Sequence, residues 1–327
     1  MINYILSKIG VVDMDSIQFW KNFNLGKELA LSGSYIYNGL KSFDEMETFY
    51  YEEEIFEFLY AISVGIERLQ KIAIILKENI MSSGQQDFEK SLITHNHLEL
   101  MKRITKTEKI DVSSLSYDFL QLLSKFYNSW RYDRYSLSDF YNYDKEKVAF
   151  ILFLEKHLNV KIDNKGVIFT SNERNYKKFI GRTIGKIVDF LYEIIKRESK
   201  RLNLYTYEIR TYTKAFKIFI RKEYDFLAED IFWKELLIYI LNNVNNNEYL
   251  DLYKSMEPLE FDDGDLVGMI KSLKNDLLKQ EYLDSLDYLF EEVENKKERF
   301  EFLDLIGNES LYLNNGEDEK IDEDDNE

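Results

Sequence analysis

The stretch that most constrains the fold of this chain spans residues 51–78 and reads YEEEIFEFLYAISVGIERLQKIAIILKE. Its apolar residues recur at steps of three and four, which is the spacing of side chains along one face of an α-helix. They are Ile55, Leu59, Ile62, Ile66, Leu69, Ala73 and Leu76. A helix with such a wide apolar face lies deep in a helical bundle. We therefore expect a long central helix, on which Glu67 and Lys71 are paired one turn apart.

Shorter stretches of the same periodicity predict further helices on both sides of the central one. They span residues 96–104, 115–130, 145–158, 176–202 and 231–244, and two more are expected near 265–281 and 284–305. By contrast, residues 31–48 contain Gly33 and Gly39 among small polar side chains, which predicts a loop or a broken helix.

Two short segments have features of β structure. Residues 160–170 place apolar runs on both sides of Asn164, Lys165 and Gly166, which predicts a small β-hairpin. Residues 204–213 alternate apolar and polar side chains, so they fit a strand or the start of a helix, and the strand is favoured. The predicted fold class is mainly α, with one small hairpin.

The composition divides the chain into three parts. Residues 1–158 form the predicted N-terminal helical bundle, and residues 159–307 form a mostly helical C-terminal region that carries the hairpin. Residues 308–327 are rich in Asp and Glu and poor in apolar side chains. Burial cannot offset the entropy of ordering such a segment, so we expect a disordered acidic tail.

Several kinds of chemistry are excluded by what the chain lacks. It contains no Cys and three His, which excludes disulfide frameworks, thiolate chemistry and Cys-based zinc sites. It has no Gly-rich phosphate loop, nucleophile elbow or HExxH motif, so the sequence indicates no cofactor and no metal. No apolar run approaches the roughly eighteen residues of a membrane span, and no signal peptide is evident. We therefore expect a cytoplasmic protein without a membrane contact.

Charge is distributed unevenly along the chain, whose formal net charge is −17. Residues 173–223 carry 14 Lys and Arg against 6 Asp and Glu, whereas residues 224–327 carry 9 against 30. An acidic chain disfavours non-specific binding to nucleic acid, but the basic block of residues 173–223 permits a specific contact with RNA or with an acidic partner.

Within this basic block, some cations share helix faces because residues four apart lie one turn apart. The pairs are Arg182 with Lys186 and Arg197 with Arg201. They are candidate binding residues for phosphate groups. The equally weighted alternative is a solvated helix face that pairs with the chain's own acidic residues.

Arg131, Tyr132, Arg134 and Tyr135 form the densest cluster of polar and aromatic side chains. Two guanidinium groups beside aromatic rings could hold a phosphate and stack a nucleobase. Alternatively, the arginines neutralise the C-terminus of a helix while the tyrosine rings pack at the end of the bundle. The cluster is therefore a candidate binding site with a structural alternative.

His95 and His97 lie two positions apart. On a strand they would share a face and could bind a metal, but at the start of a helix they point in different directions. No third ligand is apparent nearby. We expect a helix cap or a surface pair beside Asn96 and predict no metal site.

Three segments of the first half bear on family membership. SVGIERLQKIAIIL forms a long apolar helix, THNHLELMKRI begins with His and continues into a Leu-rich helix, and LLSKFYNSWRYDRYS is an aromatic helix ending in Arg-Tyr. In this order the segments, spanning about residues 50–158, resemble the HEPN superfamily of helical domains. The resemblance implies an up-and-down helical bundle and, in many members, a homodimer.

The resemblance also implies two alternative functions. Some HEPN domains are metal-independent ribonucleases of toxin, CRISPR-linked and phage-defence systems, and others are inactive binding modules. Active members carry an Arg followed after four to six residues by a His. Here the matching Arg is Arg131, and residues 135–138 read YSLS, so no His completes the motif.

We therefore expect a non-catalytic interaction or regulatory protein of an antiviral-defence or toxin-type system. Its expected partners are another protein or a second copy, with RNA as a further partner through residues 173–223. The alternative is a divergent ribonuclease in which Arg131 and either His95 or His97 come together from separate segments. In that reaction the imidazole would act as base and the guanidinium would stabilise the phosphate.

Overall fold

The computed structural model describes residues 16–80, 85–106, 108, 112–133, 135, 137, 144–163, 169–243, 247–273 and 276–308. This part of the chain is mainly α-helical, which confirms the predicted fold class. It divides into two compact units, residues 1–226 and residues 227–327. None of the described helices is long and apolar enough to span a membrane.

Most of the first unit is helical. Its helices are α1 (Ser16–Phe19, continued by a π-helical turn, Trp20–Asn24), α2 (Leu25–Glu45), α3 (Glu52–Glu78), α4 (Gln85–Ser91), α5 (His97–Thr105), α6 (Ser114–Lys125, continued by a second π-helical turn, Phe126–Trp130), α7 (Arg131–Asp133), α8 (Lys145–Leu158), α9 (Arg174–Arg201) and α10 (Lys214–Phe219). In the second unit they are α11 (Leu227–Asn243), α12 (Glu248–Lys254), α13 (Leu266–Ser272), α14 (Asp276–Glu291) and α15 (Lys296–Leu303), with a 3₁₀ turn at Asp263–Asp265.

Helix α3 is the predicted central helix, and the bundle is built around it. All seven residues of its predicted apolar face are buried, and α2, α5, α6, α8 and α9 pack against it. Three glutamates lie in its first turn, where the positive end of the helix dipole stabilises negative charge. The helix ends where Asn79 adopts the left-handed conformation, with φ 45°.

Residues 31–48 are mostly helical, so the predicted loop or broken helix is wrong. Helix α2 runs through both glycines and lies antiparallel to α3 at very short range. A Cβ atom on Gly39 would come within 2.7 Å of Ile62, and one on Gly65 would come within 2.6 Å of Ile36. The glycines therefore mark the places where two helices touch, and not breaks in one helix.

The end of the predicted bundle, residue 158, differs from the division between the compact units. Helix α9 packs on α3, and α10 packs on α2, where Gly33 lies against Ala215. Residues up to 226 thus belong to the same unit as the bundle. The predicted disordered tail, apart from Asn308, lies outside the described residues.

The described flanks of the predicted β-hairpin, residues 160–163 and 169–170, form no strand, and residues 164–168 lie outside the described part of the chain. The backbone of Thr170 does donate a hydrogen bond to the carbonyl of Asp163, at 3.0 Å. The residues that follow lie against the end of α2, where the side-chain amide of Asn172 donates hydrogen bonds to the carbonyls of Phe43 and Met46. An isolated β-bridge between Thr48 and Ser171 accompanies this contact.

The favoured strand at residues 204–213 is also wrong, since these residues form turns. The segment instead docks on the π-helical turn after α1, with Leu204 and Thr206 buried and Tyr205 exposed. The backbone N–H of Tyr205 donates to Asn22 Oδ1 at 2.7 Å, and the hydroxyl of Thr206 donates to the carbonyl of Lys21 at 2.8 Å.

The second unit is held together by contacts among its last helices. Helices α13 and α14 pack together where Gly268 gives room to the Tyr282 hydroxyl. The rings of Phe290 in α14 and Phe300 in α15 lie 5.3 Å apart. Helix α11, in contrast, has no buried residue.

Candidate functional site

A cleft of about 740 Å³ lies in the first unit, between the π-helical turn after α1, the start of α2 and the middle of α3. We call it the Glu67 cleft. Aliphatic side chains form much of its wall. Its polar and aromatic lining residues are Trp20, Asn24, Lys27, Glu28, Glu67, Arg68, Lys71, His95 and Tyr127.

Three elements position these side chains. Glu67 and Lys71 face the cleft together because they are one turn apart on α3. His95 precedes α5, whose start is fixed by Asn96, since Asn96 Oδ1 accepts hydrogen bonds from the backbone of Leu98 and Glu99. The cap is therefore Asn96 and not a histidine, and the expected surface pair is not formed because His97 is fully buried. Tyr127 comes from the π-helical turn that ends α6.

Glu67 is the central polar group of the cleft, and its side chain is only 10% exposed. One carboxylate oxygen accepts a hydrogen bond from Lys71 Nζ at 2.6 Å, and the other lies 2.9 Å from His95 Nδ1. A carboxylate only accepts, so this contact assigns the proton to Nδ1 and leaves Nε2 as an acceptor. Because 45% of the His95 side chain is exposed, this nitrogen can contact a ligand.

The ring of Tyr127 brings together two residues that the sequence singled out. The ring of His95 approaches it edge-on, with centroids 5.0 Å apart, and the guanidinium carbon of Arg131 lies 3.7 Å from its centroid. The second contact is a cation–π interaction. Burial raises the pKa of Tyr127, so its hydroxyl stays protonated near neutral pH.

The predicted cluster around Arg131 is only partly assembled. The Arg131 guanidinium donates a hydrogen bond to the hydroxyl of Tyr132 and also lies over that ring, at 4.4 Å. The side chain of Tyr135 is instead 91% exposed. Arg134 lies outside the described residues. Arg131 and Tyr132 are thus joined to the Tyr127 ring, while Tyr135 is not shown to take part.

His97 has a different environment from His95. It is fully buried, and its Nε2 donates a hydrogen bond to the carbonyl of Ser63 at 3.0 Å. Burial lowers the pKa of His97, so the imidazole is held neutral in the core. The two histidines therefore do not act as a pair. Among the described residues, no three His, Asp or Glu side chains gather as metal ligands.

The predicted binding pairs of the basic block differ in how they are engaged. Arg197 Nη2 lies 2.6 Å from Glu108 Oε1, and Arg201 Nε lies 2.6 Å from Glu198 Oε2. Arg182 and Lys186 are exposed on α9, and neither forms an ion pair within the described part of the chain. Of the four candidate cations, two are therefore engaged in ion pairs within the protein, and two are not.

Sequence reasoning missed the roles of Glu67, Tyr127 and Trp20 in this cleft. The spacing of Glu67 and Lys71 was visible as a helix pair, but not the approach of His95 from a distant loop. Trp20 has a large apolar side chain, which is typical of a core residue, but in the structure it lines the cleft. No periodic signal could have placed three separate segments around one cavity.

No family model matches this chain, and no significant match was found among curated proteins or solved structures. The resemblance to HEPN domains therefore remains a prediction that rests on the three quoted segments.

Proposed function

We propose that this protein is a non-catalytic interaction or regulatory protein, of the type that HEPN-like modules supply in antiviral-defence and toxin-type systems. The observation that carries the proposal is the environment of Arg131. Its guanidinium lies over the Tyr127 ring and donates to the Tyr132 hydroxyl. Metal-free RNA cleavage needs a cation that is free to meet the phosphate in the transition state. A guanidinium already held by two tyrosines is better suited to shaping a binding surface.

The Glu67 cleft supports a binding role. Its volume of about 740 Å³ lies within the range of about 300–1,000 Å³ for ligand pockets, which combine apolar walls with a few polar groups. Two ion pairs lie inside it, Lys71 with Glu67 and Arg68 with Glu28, and Lys27 adds a third cation. This lining favours a ligand with an apolar body and hydrogen-bonding groups, among them an acceptor for Lys27.

RNA is proposed as a further partner, and the two candidate cations outside the ion pairs of the described residues support this. Arg182 and Lys186 are one turn apart and face solvent. Arg197 and Arg201 already form ion pairs, so a phosphate would have to displace a carboxylate to reach them. We therefore expect Arg182 and Lys186 to contribute more to RNA affinity than Arg197 and Arg201.

A second candidate function is metal-independent RNA cleavage. It is favoured by one observation, the joint contact of His95 and Arg131 with the Tyr127 ring. In this function Glu67 would orient His95, and His95 Nε2 would accept the proton of the 2′-hydroxyl. Arg131 would leave Tyr132 to stabilise the phosphate.

One experiment separates the two functions. Labelled single-stranded RNA is incubated with the full chain in EDTA, and both cleavage and fluorescence anisotropy are followed. Under the leading proposal the RNA stays intact, and Arg182→Ala with Lys186→Ala weakens binding more than Arg197→Ala with Arg201→Ala. Cleavage by the wild type that is lost in His95→Ala and kept in His157→Ala would support the ribonuclease instead. His157 is a matched control because it pairs with Asp118, away from the cleft.

A further inference from the structure

The floor of the Glu67 cleft is aliphatic. Four of its lining side chains come from α2 and α3, and each of these residues is at most 8% exposed. They are Leu25, Val64, Ile72 and Ile75. A ligand that covers such a floor removes apolar surface from water, so the body of the ligand has to be apolar as well. The polar side chains around the floor then decide which polar groups this body carries.

The two carboxylates that line the cleft already have partners. Glu67 contacts Lys71 through one oxygen and His95 through the other. Glu28 accepts a hydrogen bond from Arg68. An ammonium or guanidinium group of a ligand would have to displace one of these side chains to reach a carboxylate. The cleft is therefore a poor site for a cationic ligand.

One cation of the cleft has no such partner. Lys27 in α2 is exposed, and its ammonium group forms no ion pair or hydrogen bond within the described part of the chain. The side-chain amide of Asn24 likewise has no hydrogen-bond partner among the described residues. The helical backbone continues through Asn24, and side chains three residues apart in a helix are neighbours. The two residues therefore offer adjacent N–H donors at one corner of the cleft.

The net charge of the lining sets the charge of the ligand. The charged lining residues are Lys27, Arg68, Lys71, Glu28 and Glu67. Three of them are cations and two are anions, so with a neutral imidazole the lining has one positive charge in excess. A monoanion balances this charge, whereas a phosphate monoester would bring close to two negative charges at neutral pH. The two oxygens of a carboxylate can also accept from the Lys27 ammonium and the Asn24 amide together.

His95 adds the requirement for a hydrogen-bond donor on the ligand. Its Nδ1 donates to Glu67, which leaves Nε2 as an acceptor. A ligand that covered this nitrogen without donating to it would leave a desolvated acceptor unpaired, which opposes binding. His95 comes from the loop before α5, whereas Asn24 and Lys27 come from the N-terminal end of α2. The donor and the carboxylate therefore belong to different parts of the ligand.

We propose that the Glu67 cleft binds a small monocarboxylate with an apolar body and one O–H or N–H donor. Its carboxylate accepts from Lys27 and Asn24, and its donor binds His95 Nε2. This inference rests on the binding role proposed for the cleft and adds the chemical class of the ligand. It involves neither Arg131 nor the basic block of residues 173–223.

Three matched probes and the full chain provide the test. The reference probe is para-hydroxyphenylpropionate, which combines a carboxylate, an aromatic body and a phenolic donor. Its Kd is measured by ligand-detected NMR, which reports weak binding. The corresponding amide lacks the charge and should bind about tenfold or more weakly. The methyl ether of the phenol keeps the carboxylate but lacks the donor, and it should bind about fivefold more weakly.

Substitutions in the cleft assign these differences to single residues. Lys27→Met should remove most of the preference for the acid over the amide, and Lys27→Arg should keep it. Lys27 has no side-chain partner among the described residues, so these changes leave the fold intact. His95→Phe should remove the preference for the phenol over the methyl ether. The matched control is Lys125→Met, at an exposed position of α6 outside the lining, and it should bind all three probes as the wild type does.

The failure of this inference is distinguishable from the failure of the binding role. An amide that binds as tightly as the acid would overturn the assignment of a carboxylate and leave a cleft that binds apolar molecules. A preference for the acid that survives Lys27→Met would overturn the placement of the carboxylate at Lys27. Absence of binding by all three probes at millimolar concentration would overturn the inference together with the binding role of the cleft.

Discussion

The Nδ1 atom of His95 lies 2.9 Å from the Oε2 atom of Glu67. A residue from a loop and a residue from the middle of the central helix thus form one hydrogen-bonded unit on the wall of a cleft. Because Glu67 also accepts from Lys71, a single carboxylate holds two basic side chains in place.

Glu67→Gln is expected to lower the free energy of unfolding by about 1–2 kcal/mol. The amide removes the charge that holds Lys71 and His95, and the site is largely screened from water. Urea denaturation followed by circular dichroism measures the change. Glu57→Gln, at an exposed position of the same helix, is the control and should change stability by less than about 0.5 kcal/mol. Equal effects of the two substitutions would contradict the role assigned to Glu67.

Ile66→Asp is expected to unfold the first unit or make the protein insoluble. Ile66 is fully buried on α3, and an unpaired carboxylate there would destabilise the fold by more than about 4 kcal/mol. Soluble yield and the thermal melting profile report the outcome. Ile93→Asp is the control, since Ile93 is 81% exposed. A soluble Ile66→Asp variant with a normal melting temperature would mean that this face of α3 is not part of the core.

Gly65→Ala is expected to destabilise the fold by about 1–3 kcal/mol. The new methyl group would come within 2.6 Å of Ile36 Cγ1 and 3.1 Å of the Ser32 carbonyl oxygen, so α2 must move away from α3. Gly26→Ala, in the first turn of α2, is the control because only one atom lies near its Cβ position, at 4.0 Å. Alanine there should be neutral or stabilising. Thermal unfolding of the two variants should therefore shift in opposite directions, or shift for Gly65 alone.

Stability should depend on pH through Glu54. Burial, together with Glu53, Glu47 and Glu57, raises the pKa of Glu54 to about 7. The folded state therefore prefers the protonated carboxyl. The contribution of this carboxyl to stability is fully present below the unfolded pKa of about 4.5 and is lost as pH rises through the folded pKa of about 7. Glu54→Gln should leave stability unchanged near pH 4 and raise it by about 1 kcal/mol at pH 8, after allowance for solvent screening.

Melting temperatures of wild type and Glu54→Gln between pH 4 and pH 8 test this expectation. Glu208→Gln, at an exposed position away from this cluster, should instead track the wild type across the whole range. Parallel curves for Glu54→Gln and wild type would show that the carboxyl does not titrate in this window.

Arg131→Ala combined with Arg134→Ala should weaken RNA or ligand binding while lowering stability by no more than about 1 kcal/mol. For Arg131 the main stabilising contact that is lost is the cation–π interaction with Tyr127, worth about 0.5–1 kcal/mol at a partly exposed site. Binding assays and thermal melting of the same preparation separate the two effects. A loss of several kcal/mol would instead assign Arg131 to holding the end of the bundle together.

The periodicity of apolar residues was enough to predict five of the ten helices described in the first unit. The central helix was expected at residues 51–78 and is observed at Glu52–Glu78, and α8 was expected at its observed limits. The failures have a common physical origin. Gly33 and Gly39 were interpreted through their local flexibility, whereas their role is to let neighbouring elements approach closely. Local patterns carry no information about such approaches.

The candidate site was predictable only in part, for a related reason. His95 and Arg131 could be named from residue type and from their neighbours in the sequence. Their common contact with Tyr127 depends on how α6 ends in a π-helical turn and how the loop before α5 crosses α3. Those are properties of the packed bundle, and local patterns in the sequence do not reveal them.

The bridge between Thr48 and Ser171 makes the chain return to the end of α2 after a long excursion. The neighbouring contact of Asn172 with Phe43 joins residues 129 positions apart. The segment that holds helices α3 to α8 thus forms one large loop closed by these contacts. Closing so large a loop is opposed by about 4 kcal/mol of chain entropy, which ordering of the helices within it can reduce beforehand. We therefore expect the helices between these two contacts to form first and the bridge to form after them.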